Sequence, residues 1–216
     1  MNSNSNLIDA IYKSRMTLLD LLAERGYDVD RYRVFTPDDA ALALPSYTGL
    51  GFIVTKKDSA DVCDVRYYNN TPKKIEEMLD AIPVEDAATT EYVIMVQNSL
   101  IDAHHACALK QYVKQSEDKQ GKRQLRKLRV SFFSIYALVI NPLRHVLVPK
   151  HEIVPEQYHK KLMESLYITT KAKFPEIKYH IDPITRCIGA VPGDIIRITR
   201  PSQSSGETVL YRVCVV

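Results

Sequence analysis

The chain has 216 residues, 45% hydrophobic and 25% charged, a globular composition long enough for one large domain or two small ones. Its 29 Lys and Arg against 26 Asp and Glu leave a formal net charge of +3, too small to argue for nucleic acid unless the charges cluster. The longest apolar stretch, Phe132 to Ile140, is less than half of the ~20 residues that a membrane span needs.

The opening MNSNSNLIDA lacks the basic and apolar regions of a signal peptide. Cys63, Cys107, Cys187 and Cys214 are scattered, with no C-x-x-C spacing. A soluble intracellular protein with reduced core cysteines is expected, with no membrane partner.

A helix is predicted from about Ser5 to Arg25, where Leu7, Ile8, Ile11, Leu18, Leu19 and Leu22 recur at helical spacing and Gly26 stands at the cap position. RYRVFTP and LGFIVTKKDSADVCDVRYY then read as strands, the second folding into a hairpin at Lys57 to Asp61. Thr71-Pro72 offers an N-cap and a first-turn proline for the helix KKIEEMLDAI, which Pro83 stops. EYVIMVQ reads as a strand and LIDAHHACALKQYV as a helix on which His104, His105 and Cys107 are packing or surface residues.

SEDKQGKRQLRKLR, from Ser116 to Arg129, is highly charged and reads either as a loop or as the start of a helix. VSFFSIYALVI follows as a buried strand broken by Asn141-Pro142. A domain boundary is expected near there, giving domains of residues 1–142 and 143–216.

The second domain opens its helix PEQYHKKLMESLY at Pro155. Asp182-Pro183 begins a short helical turn closed by Gly189, and Pro192-Gly193 is a type II turn signal. The chain ends in a predicted hairpin. Val209, Tyr211, Val213 and Val215 share one strand face, Ile196 and Ile198 are expected to pair with them, and Ser205-Gly206 supplies the turn. The whole pattern predicts an α+β, mixed α/β protein without internal repeats.

The C-terminal third carries a specific combination: HVLVPKHEIVP at His145 to Pro155, the P-x-I and D-P steps at Pro175, Ile177, Asp182 and Pro183, and Gly189 before a turn. An I-I-x-I-x-R strand, the R-P-S to S-G hinge from Arg200 to Gly206, and Tyr211-Arg212 complete it. In this order these residues resemble the small assembly subunit of archaeal and eukaryotic RNA polymerases, a separate chain in archaea and the C-terminal part of the shared fifth subunit in eukaryotes. IYKSRMTLLDLLAERGYDVD and YVIMVQNSLIDAHHACALK resemble, more loosely, the N-terminal domain of the eukaryotic subunit.

The resemblance implies a restriction-endonuclease-like N-terminal jaw domain near downstream DNA and a C-terminal assembly domain docked on the largest subunit. It implies a non-catalytic polymerase subunit without cofactors, from a cellular nucleus or from a virus that carries its own polymerase. The residues it puts at the subunit interface are His145, Pro149, His151, Asp182, Pro183, Gly189, Gly193, Arg200, Ser202, Gly206, Tyr211 and Arg212.

Three other readings are weighed against it. His145 and His151 lack a third ligand, and Pro155 stands where an H-E-x-x-H motif needs its second histidine. They read as hydrogen-bonding residues of the connection between domains. A nuclease of this fold needs a strand-borne Asp followed by Asp/Glu-x-Lys to hold a divalent metal, whereas Asp61 and Asp64 are followed by Arg66 and Glu91 by Tyr92-Val93. Lys119, Lys122, Arg123, Arg126, Lys127 and Arg129 place six positive charges in eleven residues. These either form a solvated face or track the phosphates of downstream duplex without reading sequence. A nuclease-fold enzyme or a transient polymerase-binding regulator are the alternatives to a stable subunit.

Overall fold

The structure, a computed structural model, describes residues 2–69, 72–83, 89–117 and 123–216. The fold is mixed α/β. Contacts divide the chain into two compact units, Met1–Ile140 and Asn141–Val216.

The first unit begins with helix α1 (Asn2–Glu24). Leu7, Ala10, Ile11, Leu18, Leu19, Leu21 and Leu22 are buried, the helical stripe expected of an amphipathic segment. Gly26 ends it with a φ of 88°. The Tyr27 N–H reaches back to Leu22 O and the Gly26 N–H to Ala23 O, both at 3.0 Å, which satisfies the last carbonyls in a Schellman closure.

RYRVFTP does not form the predicted strand. Asp30–Tyr32 is a single 3-10 turn, and Thr36 instead starts helix α2 (Pro37–Ala43). The Thr36 N–H donates to Asp39 Oδ2 at 2.8 Å and the Asp39 N–H to Thr36 Oγ1 at 3.3 Å. This capping box, with Pro37 in the first turn, outweighs a β-branched pattern that nothing buries: Val34 stays 82% exposed.

Strands β1 (Phe52–Thr55) and β2 (Val62–Tyr68) pair antiparallel. Helix α3 (Pro72–Asp80), strand β3 (Thr90–Val96) and helix α4 (Asp102–Val113) follow. Thr71, the expected cap of α3, lies outside the described residues. The charged segment, expected as loop or helix, contains a short antiparallel pair, β4 (Gln115–Glu117) with β5 (Arg123–Leu125). Strand β6 (Arg129–Ser134) then completes a sheet of order β1-β2-β3-β6, with β2, β3 and β6 parallel. The apolar run continues past β6 as a turn and a 3-10 helix at Ala137–Val139 rather than as strand.

Two-residue alternation sorts this sheet. Tyr92, Ile94, Val96, Val130 and Phe132 pack with Ile75 and Leu79 of α3 and Cys107 and Ala108 of α4. The opposite face meets α1: Arg15 lies over the Phe52 ring at 4.3 Å, and Arg25 pairs with Glu91.

In the second unit, Asn141 caps a 3-10 turn at Pro142–Arg144. Strands β7 (Lys150–Val154), β8 (Glu176–Lys178), β9 (Ile195–Ser202) and β10 (Gly206–Val215) form a sheet of order β7-β9-β10-β8. Only the β10–β8 pairing is parallel. Helix α5 (Glu156–Ser165) covers one face, where Leu162 and Met163 pack toward Phe174, Ile195 and Val213. Helix α6 (Pro183–Ile188) lies on the other.

The expected pairing of the last strand is corrected by its register. Ile196 and Ile198 sit opposite Arg212 and Leu210, whereas Val209, Tyr211 and Val213 face Thr199, Arg197 and Ile195. The turn spans Gln203 to Ser205 and closes on Ser202 opposite Gly206, whose φ is 73°. With a period of two, that closing pair determines which side chains share a face.

The Arg25–Glu91 ion pair is buried, and Glu91 Oε2 also accepts from Tyr27 OH at 3.2 Å. Burial disfavours the Glu91 carboxylate, but the Arg25 charge and hydrogen bond, helped by Arg129 and Tyr27, outweigh it and hold its pKa below the ordinary 4.5. A depressed folded pKa contributes stability that is complete well above 4.5 and is lost as pH falls through the folded value. Glu91→Gln should cost about 3–5 kcal/mol near neutrality, since it leaves Arg25 buried and unpaired. Urea unfolding across a pH series should also show a shallower acid limb for the variant than for the parent protein.

Candidate functional site

In the C-terminal unit, Pro149, His151, Asp182, Arg200 and Arg212 meet around one surface groove of about 390 Å³. Its apolar wall includes Leu147, Ile177, Ile184, Ile198 and Leu210. The strand register makes this convergence possible, because His151, Ile198 and Leu210 are cross-strand neighbours on β7, β9 and β10. Arg200 and Arg212 lie on the same face to either side of them.

Each polar member is fixed locally. The Asp182 carboxylate accepts the Ile184 N–H at 2.8 Å and the Thr185 N–H at 3.1 Å, capping α6 with Pro183 at its first position. His151 Nδ1 lies 2.7 Å from Pro149 O, so the ring nitrogen donates to that carbonyl. Arg212 reaches Glu176 O at 3.0 Å and thereby ties β10 to β8 beyond the ladder. Arg200 is exposed on β9 opposite Thr208.

The remaining interface candidates lie elsewhere. His145 is exposed, and its Nδ1 accepts the Leu147 N–H at 3.2 Å. Gly189 ends α6 with a φ of 73°, and Ala190 N–H reaches back to Thr185 O at 3.0 Å. Gly193 has a φ of 98° in a turn closed by Asp194 N–H to Val191 O at 3.0 Å. Ser202 and Gly206 shape the tip of the β9–β10 connection, where Ser202 Oγ lies 3.2 Å from Ser204 Oγ. Tyr211 points to the opposite sheet face and packs edge-on against Phe174.

Sequence reasoning missed the apolar rim. Val146 and Leu147 are 91% and 81% exposed, and Ile181 and Leu210 are also open. The signal was present in HVLVPKH: three aliphatic residues ahead of a proline, in a turn rather than a strand, have no sheet face to enter.

The basic segment does not form one exposed cationic face. Arg126 is buried, donating to Gln111 Oε1 at 2.8 Å, to Leu79 O at 2.9 Å and to Ile82 O. It joins α3 to α4 from within, and burial pushes its pKa down. The planar fork of Arg suits this position, because it reaches several carbonyls at once and satisfies the C-terminal end of α3. Lys127 is exposed with a φ of 51°. Lys119 and Lys122 lie outside the described residues, as does the Arg123 side chain.

The nuclease-type carboxylates are each held by a cation. Asp64 Oδ2 accepts from Arg66 Nε at 3.0 Å and Nη2 at 2.6 Å, Asp61 pairs with Lys56 at 3.0 Å, and Glu91 is bound by Arg25. His104 Nδ1 accepts the Ile101 N–H at 3.1 Å, and its ring packs on Phe132. Among the described residues no three His, Cys, Asp or Glu side chains gather as a metal-binding group, and no helix is long and apolar enough to cross a membrane.

The small C-terminal sheet thus gathers two arginines, a histidine and a helix-capping carboxylate around an apolar groove. Comparison with known proteins identifies its kind. The family model for the C-terminal domain of RNA polymerase Rpb5 matches residues 140–214. A Methanosarcina barkeri protein, DNA-directed RNA polymerase subunit Rpo5, is 48% identical over 73 residues, 34% of this chain and 91% of the relative. The Pyrococcus abyssi Rpo5 is 47% identical over 75 residues, 35% of this chain and 89% of its own length. A Dictyostelium discoideum protein, subunit rpabc1 of DNA-directed RNA polymerases I, II and III, is 26% identical over 212 residues, 96% of this chain and 98% of the relative. The chain belongs to the Rpb5/Rpo5 family of RNA polymerase subunits.

The two neighbouring cations of the basic segment should separate in a stability assay. Arg126→Ala should lose about 2–4 kcal/mol, because the buried Gln111 Oε1 and the partly buried Ile82 carbonyl lose their donor. Lys127→Ala should stay within about 0.5 kcal/mol of the parent protein, as exposed substitutions do. Chemical denaturation of both variants checks the assignment, and equal stabilities would overturn it.

Proposed function

We propose that the chain is a non-catalytic structural subunit of a multisubunit DNA-directed RNA polymerase. In this reading the C-terminal unit docks on the largest subunit through the Arg200 groove. The N-terminal unit has the restriction-endonuclease-like fold and contributes to the jaw beside downstream duplex. A nuclear setting follows if the source is cellular.

The observation that carries the reading is the coincidence of the similarity with the groove. The stretch shared with the archaeal subunits, and matched by the family model at residues 140–214, is also the unit in which Pro149, His151, Asp182, Arg200 and Arg212 converge. The apolar rim gives a partner surface area to cover, and the two arginines offer planar forks to its carboxylates or carbonyls. The non-catalytic reading of the N-terminal unit draws on Asp61, Asp64 and Glu91, each engaged by its own cation.

The test is affinity purification of the tagged protein followed by a high-salt wash. Recovery of the two largest polymerase subunits in stoichiometric amounts is expected, and their absence would sink the proposal. Leu210→Asp combined with Arg200→Glu should reduce that recovery at least about tenfold, as loss of a central apolar and charged anchor does. Circular dichroism should show the fold retained, since both side chains are exposed.

A further inference from the structure

The C-terminal unit carries a second groove, on the face of the sheet opposite the first. It encloses about 430 Å³, within the usual range of ligand-sized clefts. Val154, Tyr158, Leu162 and Tyr211 form its apolar wall, and Lys161 on α5 and Arg197 on β9 stand at its rim. We propose that this groove binds an acidic amphipathic segment of a partner protein, with apolar side chains entering beside Leu162 and Tyr211 and carboxylates reaching Lys161 and Arg197.

The packing beneath α5 is the first ground. Only Phe174, Ile195 and Val213 are fully buried in that cluster, while Val154, Leu162, Met163, Ile168, Tyr211 and Val215 are only partly covered. Tyr158 remains 53% exposed, and Leu166 and Tyr167, directly after the helix, are 41% and 95% exposed. A single ten-residue helix is too short to close this side of the sheet, and the apolar area left wet is what a second helix laid alongside would cover.

Charge is the second ground. The unit from Asn141 onward holds eleven Lys and Arg against seven Asp and Glu, whereas residues 1–140 hold eighteen against nineteen. All of the chain's excess positive charge therefore belongs to the C-terminal unit. At the groove, Glu152 is taken up by Lys150 at 2.6 Å and faces Arg197 across the β7–β9 ladder. Lys161 and Arg197 form no ion pair among the described residues; Arg197 acts on Glu152 only through space, so both cations keep donors open to an incoming carboxylate. The apolar wall between them favours a peptide over a nucleic-acid backbone, which would need a continuous track of cations. The proposal does not depend on the polymerase reading, since it concerns the other face of the sheet.

The test uses the full-length protein and two fluorescent helix-forming peptides of about 15 residues. Both carry Leu and Phe at helical spacing on one face. One has Asp and Glu on the other face and its counterpart has Lys. Fluorescence anisotropy should show the acidic peptide binding at least about tenfold more tightly. Lys161→Glu with Arg197→Glu should reverse that preference, and Tyr158→Ala should weaken both peptides. Amide shifts on binding should centre on residues 152–165, 197 and 211.

Equal binding of the two peptides, no binding of either, or shifts centred on Leu147, His151 and Ile184 would each overturn the proposal. A single-stranded oligonucleotide that competes for the groove and loses affinity with the same two charge reversals would also overturn it, in favour of a phosphate surface. Purification of polymerase subunits with the Lys161→Glu, Arg197→Glu protein separates the two faces: recovery should be unchanged whichever way the peptide assay falls.

Discussion

The C-terminal unit depends on its last strand being held along both edges. β10 pairs antiparallel with β9 from Gly206 to Val213 and parallel with β8 from Val213 to Val215, which places the last strand in the interior of a sheet. Clamps outside the ladder secure it. Val213 N–H donates to Pro175 O at 2.9 Å, Tyr179 N–H to Val215 O at 2.7 Å, and the Gly193–Asp194 turn both donates to and accepts from Cys214 at 2.9 Å. Burial pushes the Cys214 thiol up to about 12, keeping it an uncharged core side chain. Because strand faces alternate, these clamps decide that Leu210 and Arg212 line one groove while Tyr211 and Val213 enter the α5 core. A one-residue slip would put a tyrosine where an arginine is needed and a charge into the core.

The N-terminal unit solves a different problem, that of fixing helices to a sheet through buried cations. Arg15 is sandwiched between the Phe35 and Phe52 rings at 4.2 and 4.3 Å and donates to Leu50 O at 2.5 Å. Arg25 ties the end of α1 to Glu91 at the start of β3, and Arg126 ties α3 to α4. Each guanidinium offsets its desolvation with several hydrogen bonds or ring faces, something a lysine ammonium in the same place could not match. Buried pairs of this kind are weak sources of net stability but are costly to leave half-made, so they discriminate among packings of the same helices.

Much of this was legible from residue order. The long amphipathic helix, the β1–β2 hairpin, the Asp182-Pro183 cap and the glycines at 26, 189 and 193 all act through local chemistry that a short window contains. The errors fall where distant context decides. RYRVFTP alternates like a strand, yet among the described residues no partner strand exists for it, and the Thr36–Asp39 capping box wins. Arg126 and Lys127 are neighbours in a uniform basic run, but only the fold brings Leu79 and Ile82 carbonyls to the first and a left-handed backbone to the second. For the site, the family motif located the residues without saying which faces they would share. Tyr211 and Arg212 are adjacent in that motif and lie on opposite sides of the sheet.

That separation explains how so small a unit can present two chemically different surfaces. On the α6 side, exposed aliphatics at Leu147 and Leu210 sit among Arg200, Arg212, His151 and a carboxylate already engaged in capping. On the α5 side, a shallow core is left partly open between Lys161 and Arg197. Both take their apolar floor from the same few strand residues read in alternation: Ile198 and Leu210 toward one groove, Ile195, Tyr211 and Val213 toward the other core. The excess positive charge is confined to this unit, so both surfaces lie in a net positive field, while their shape and apolar content differ. A 76-residue module has few side chains with which to build a closed core, and here three buried residues beneath α5 are ringed by partly covered ones.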